Sequence, residues 1–145
     1  MFEDTNRDLK VISNTFDLDF MFIITKNVHS NDIANEKPGM FISNDGGRNI
    51  KRHQIMNRGN PVYITEIISL KRYMFCLSEI NLTFVYMDKY LNEIHMQTFE
   101  EHDQISPHLT HEEYMSKLSL QTNTKVRILL LNIKKFKMLH SVQSF

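Results

Sequence analysis

Across residues 61–99, apolar and polar side chains alternate, with no glycine and with no proline after Pro61. Ile80, Leu82, Phe84 and Tyr86 share one parity, and Glu79, Asn81 and Thr83 share the other. Successive side chains of a strand point to opposite faces, so this rhythm predicts a strand with one wet side. Upstream, Tyr73, Met74, Phe75 and Leu77 form an apolar run, and the parity of the apolar positions changes near Ser78. That change predicts a bulge or bend there, within one long strand or between two.

The same reading extends over the chain. Residues 17–25 predict a first strand, with Leu18, Phe20, Phe22 and Ile24 in phase. Residues 28–37 form a polar connection closed by Pro38 and Gly39. Residues 40–43 are a short apolar strand, followed by the turn signal Asn44-Asp45-Gly46-Gly47, whose residue types tolerate positive φ. Residues 49–56 return as a charged edge partner, of the kind that discourages pairing with other chains. A turn at 57–61 and a strand at 62–70 come next, and a hairpin connection at 87–90 leads to a return strand at 91–99.

A polar loop, 100–109, precedes Thr110-His111-Glu112-Glu113, which has the spacing of a helix capping box, with Tyr114, Met115 and Leu118 as an apolar stripe behind it. Residues 125–137 end the pattern with apolar residues on both parities, as in a strand covered on both faces.

The short connections after residue 39 favour antiparallel neighbours. The expected fold is therefore mainly β, an antiparallel β-sandwich or partly closed barrel of about seven to eight strands with one short helix near residues 111–120. The length of 145 residues fits a single β-rich domain spanning 1–145, with 1–15 as a flexible arm. Composition agrees. Alanine, the best helix former, occurs once, at Ala34, while β-branched and aromatic residues are abundant. The Ile/Asn/Lys-rich, Ala-poor usage resembles that of A+T-rich genomes such as those of large DNA viruses and some parasites, where small lineage-specific β domains often bind other proteins.

The single Cys76 excludes an internal disulfide. No apolar run reaches the roughly 20 residues of a membrane-spanning helix and no secretory leader is present, so a cytoplasmic or nuclear setting without a membrane partner is expected.

Net charge is zero but segregated. Residues 88–113 carry seven acids and one base, whereas 114–145 carry no acid, and a second acid-free stretch covers 46–65. Such blocks pair within the fold, between copies of the chain, or with another partner.

Three kinds of chemistry compete. His102, His108 and His111, amid Glu100, Glu101, Asp103, Glu112 and Glu113, are of residue types that hold zinc or a similar ion, which would serve a metal-assisted hydrolase or phosphodiesterase. Their spacing matches no established motif, and a polar loop before an acidic helix start has the same composition. Cys76 with a histidine would make a nucleophile–base pair, but its apolar neighbours read as core. Arg48, Lys51, Arg52 and Arg58 form a basic arm, and Lys134, Lys135 and Lys137 flank Phe136; basic residues beside an aromatic suit nucleic acid, although the pI near 7.1 is far from that of a dedicated binder. No phosphate-cradling loop or serine elbow is present. The remaining reading needs no cofactor: a non-enzymatic protein-interaction or assembly module that contacts a protein partner or self-associates as a homo-oligomer, with adaptable methionines and the two-sided apolar segment 128–133 as contact material.

Overall fold

The computed structural model describes residues 7–14, 16–27, 37–122, 125–134 and 137–144. In chain order the strands are β1 (Arg7–Ser13), β2 (Met21–Asn27), β3 (Met40–Ser43), β4 (Lys51–His53), β5 (Ile55–Asn57), β6 (Asn60–Val62), β7 (Glu66–Ser69), β8 (Tyr73–Ser78), β9 (Thr83–Asp88), β10 (Glu93–Thr98), β11 (Gln104–Pro107), β12 (Tyr114–Thr122), β13 (Lys125–Asn132) and β14 (Lys137–Ser144). Four sheets result, with orders β1-β2-β3-β4, β5-β6, β10-β9-β8-β7 and β11-β12-β13-β14. Every registered pairing is antiparallel. The expected mainly β, antiparallel class holds, and the sheets are open, consistent with a sandwich-like fold and not with a barrel. Among the described residues there is no helix, and hence none long and apolar enough to cross a membrane.

The fourteen strands among the described residues exceed the expected seven to eight, because two predicted strands divide and because β1, β11, β12 and β14 lie where an arm, a loop, a helix and no element were expected. Residues 49–56 split into β4 and β5, and 62–70 into the end of β6 and β7. The helix expected near 111–120 is absent: Tyr114–Thr122 is β12, the longest strand among those described. An isolated helix of this length is marginal. The strand gains a ladder on each side, pairing with β11 over Gln104–Pro107 and with β13 along most of its length. Glu113, which cap spacing would turn back on Thr110, pairs with Lys134 instead, and the neighbouring Glu112 carboxylate accepts from the Arg72 backbone N–H.

The chain falls into two compact units, residues 1–69 with 76–81, and residues 70–75 with 82–145. In the first unit, Arg7–Ser13 is a paired strand, in register with β2 along its whole length, where an arm was expected. The connection at 28–37 lies outside the described residues except for Lys37. The core of the β1–β4 sheet is Phe22, Ile24, Met40 and Ile42, all buried and all on one face by register. Fully burying such a side chain contributes about 1.5–3 kcal/mol. At the β3–β4 turn, Gly46 and Gly47 take positive φ, and a Cβ on Gly47 would lie 3.3 Å from the Met21 sulfur. Further along this unit, Asn81 anchors the 78–81 turn to the end of β6: its Oδ1 accepts from Tyr63 N at 2.8 Å and from Ser78 Oγ at 3.1 Å, and its Nδ2 donates to the Pro61 carbonyl.

In the second unit, Phe75, Phe84 and Tyr86 pack ring to ring, with centroids 5.3 to 6.3 Å apart. The strand β9 departs from the expected wet-sided pattern. Residues 79–82 are a turn that leaves Ile80 exposed, and Thr83, Phe84, Val85, Tyr86 and Met87 are then all buried, on both parities.

The Asp45 turn gives a pH test. Its Oδ1 accepts from Asn49 N and Ser43 Oγ, both at 2.8 Å, and Oδ2 accepts from Asn49 Nδ2. These bonds, that from the Asn49 backbone first, lower its pKa from 3.8 to about 2. A lowered folded-state pKa stabilises fully above 3.8, and the contribution disappears as pH falls through about 2. Asp45→Ala is therefore expected to lower stability at neutral pH and to flatten the acid limb between those values, as read from urea denaturation at stepped pH. An unchanged acid limb would contradict this.

Candidate functional site

The three histidines of the expected metal group occupy three different environments. His102 is exposed on the turn before β11. His108 is half-buried, with Nε2 2.9 Å from Ser116 Oγ, and its backbone N–H donates to the Tyr114 carbonyl. His111 is exposed, its ring 6.4 Å from that of Tyr114. Among the described residues, no three His, Cys, Asp or Glu side chains are grouped as a metal ion requires.

Three of the five acids around these histidines, Asp103, Glu112 and Glu113, are engaged with bases instead. Asp103 lies 3.0 Å from Lys117 Nζ and accepts from Glu100 N. Burial raises its pKa, but hydrogen bonds from Glu100, Ser119 and Lys117 outweigh this and lower it on balance. Glu113 pairs with Lys134 at 3.5 Å. Buried Glu112 takes Arg72 N at 2.8 Å and Arg72 Nε at 3.2 Å. Two of these ion pairs join the acidic block at 88–113 to the acid-free block after it.

Cys76 is fully buried, and desolvation pushes its thiol up to about 12. It is neutral at ordinary pH and packs as a small apolar group. The sequence did not single out Tyr86 and His95, which face each other in the β9–β10 register. The Tyr86 hydroxyl is buried with no hydrogen-bond partner among the described residues, and burial raises its pKa. Burial lowers that of His95, whose Nε2 lies 3.2 Å from Gln97 Oε1 and whose ring packs 5.6 Å from Phe84. Both are therefore neutral members of an aromatic cluster. Their signal in the sequence was only the phase of β9 against β10, which the bulge between Glu93 and His95 shifts.

Among the basic residues, Arg48, Lys51, Arg52 and Arg58 are all exposed, on the β3–β4 turn, on β4 and on the β5–β6 turn. Lys134 is taken by Glu113, Lys135 lies outside the described residues together with Phe136, and Lys137 begins β14 opposite Asn132.

The remaining surface is built by β12 and β13. Their register places Leu118 opposite Ile128, Leu120 opposite Val126 and Ser116 opposite Leu130, and directly opposed residues share a face. That face carries no charged side chain on either strand among the described residues; the charges, Lys117, Lys125 and Arg127, fall on the other parity. β13 lies between β12 and β14, where strong burial was expected. Yet Val126, Arg127, Ile128, Leu129, Leu130 and Leu131 are all only half-buried, and Leu120 is 55% exposed.

Comparison with protein-family models, with curated proteins and with solved structures finds no match to this chain.

Glu112 offers a test of how the acidic segment is used. Glu112→Ala leaves the Arg72 N–H without its acceptor and is expected to cost about 1–3 kcal/mol. Arg72→Ala keeps that N–H bonded through Glu112 and removes a 62%-exposed side chain, so about 0–1 kcal/mol is expected. Equal losses in chemical denaturation would contradict this ordering.

Proposed function

We propose that this chain is a protein-interaction module that self-associates through the uncharged face of β12 and β13. The carrying observation is that β13, central in its sheet, is apolar on both parities and buried on neither. Leucine, isoleucine and valine in one stripe, none of them fully buried and joined by the exposed Leu120, keep part of their apolar area in water, and contiguous apolar surface of this kind marks contact sites.

The absence of charge from this face favours a second copy as the partner. Two identical faces meeting about a two-fold axis bring each residue type against its own kind, and like charges would oppose that. Two such stripes can pack as aligned sheets do, roughly 10 Å apart. The burial of Cys76 and the separate roles of the three histidines add weight to a contact role over catalysis.

The test is sedimentation equilibrium in about 0.5 M salt, which screens contacts between exposed charges and spares apolar ones. The natural sequence is expected to form a dimer. Leu120→Asp alters a side chain already 55% exposed, so the fold should persist by circular dichroism, while association weakens by at least about tenfold. A strict monomer at every concentration, or a variant that associates like its parent, would refute the proposal.

A further inference from the structure

We propose that one end of the β1–β4 sheet is a second self-contact, in which two copies meet about a two-fold axis and the acidic, apolar tip of each seats on the basic flank of the other. It uses none of the β12–β13 residues.

Topology brings the two halves together. In an antiparallel sheet of order β1-β2-β3-β4, the β1–β2 turn (residues 14–20) and the β3–β4 turn (residues 44–50) fall at the same end. They are tied directly, Gly46 N donating to the Asp19 carbonyl at 2.9 Å. Each is also closed by its own bonds. In the first, Asn14 N donates to Phe20 O, Phe20 N to Asp17 O, Phe16 N to Asn14 Oδ1 and Asp19 N to Asp17 Oδ1. In the second, Gly47 N donates to Ser43 Oγ and Asn49 N to Asp45 Oδ1. Turns held in this way lose little freedom on docking.

Yet the first turn buries Phe20 and leaves its other two apolar side chains in water. Leu18 is 78% and Phe16 59% exposed. Leu18 was expected to lie in phase with the core strand, but β2 begins only at Met21, so Leu18 stands on the tip beside the exposed Asp17 and Asp19. The flank of the second turn has the opposite sign: Arg48, Lys51 and Arg52 are exposed around Ile50, itself 43% exposed. Asp45, on the same turn, is engaged internally by Ser43 and Asn49.

The hairpins that carry these turns are centred two strand spacings, roughly 10 Å, apart, although the turns themselves meet where Asp19 lies against Gly46. This end of the sheet thus carries exposed apolar side chains at Phe16, Leu18 and Ile50, with acids beside the first two and bases beside the third. A two-fold rotation lays acid over base twice and apolar tip over apolar flank, whereas an unrotated copy meets like charge with like. An apolar anchor ringed by complementary charge is the usual make-up of a contact hot spot, with charge setting register and salt dependence.

The experiment is sedimentation velocity in about 50 mM salt on chains that all carry Leu120→Asp, which weakens the β12–β13 contact, at concentrations where that variant is monomeric in about 0.5 M salt. This parent is expected to dimerise, and to dissociate on raising salt to about 0.5 M. Asp19→Lys spares every turn bond described above, since those bonds use the Asp19 backbone; it and the double variant Arg48→Glu with Arg52→Glu should each associate roughly tenfold more weakly. Mixing the two variants restores opposite signs at both contacts and should recover the parent's affinity to within about threefold. A Leu120→Asp parent that stays monomeric at low salt overturns this contact and leaves the β12–β13 proposal standing. Variants that associate like the parent, or a mixture that does not recover, overturn it equally.

Discussion

A strand that is apolar on both parities needs cover on both faces, and the chain meets that demand at β9 but not at β13. At β9, five consecutive residues from Thr83 to Met87 are buried, and the rings of Phe75, Phe84 and Tyr86 lock that side of the strand together. At β13, six consecutive residues from Val126 to Leu131 are only half-buried. Antiparallel pairing satisfies the backbone of both strands, so the difference lies wholly in what their side chains touch. Dry side chains at β9 belong to folding. The incompletely buried ones at β13 are those the proposed self-contact would cover.

This contrast also shows how far the sequence could be read. The period-two pattern located β3 residue for residue and placed β2, β9, β10 and β13 within a few residues of their ends. It did not tell cover from exposure. Glu79 and Asn81 suggested a wet side for β9, but they belong to the turn before it, where Asn81 secures Tyr63 and Ser78. The helix expected near 111–120 failed for a related reason. Thr110 and Glu113 have cap spacing, and Tyr114, Met115 and Leu118 suit a helical stripe, but a local pattern cannot register the ladders that β11 and β13 offer. The strand β1 was missed because Arg7, Asp8 and Lys10 obscure its alternation, which becomes visible only against β2.

The candidate chemistry was legible as residue types and not as geometry. Histidines and carboxylates within a dozen residues suggested a metal group, but strand β11 begins inside that segment, and the side chains diverge to Ser116, Lys117, Arg72 and Lys134. The segregation of charge survived better. Part of the acidic block is neutralised by the bases that follow it in the chain. The basic residues from Arg48 to Arg58 stay exposed, and that exposure is what gives one end of the β1–β4 sheet its two signs.

The central claim is that the uncharged face of β12 and β13 is open in a single copy and closed by a second one. Methyl NMR with a soluble paramagnetic agent reads this directly. At high dilution in about 0.5 M salt, the methyls of Ile128, Leu130 and Leu118 should broaden strongly, while that of Val85 does not. On concentration into the associated state, the first three should become protected and Val85 should stay unchanged. Methyls on β12 and β13 that are equally shielded at every concentration, or equally open, would contradict the account.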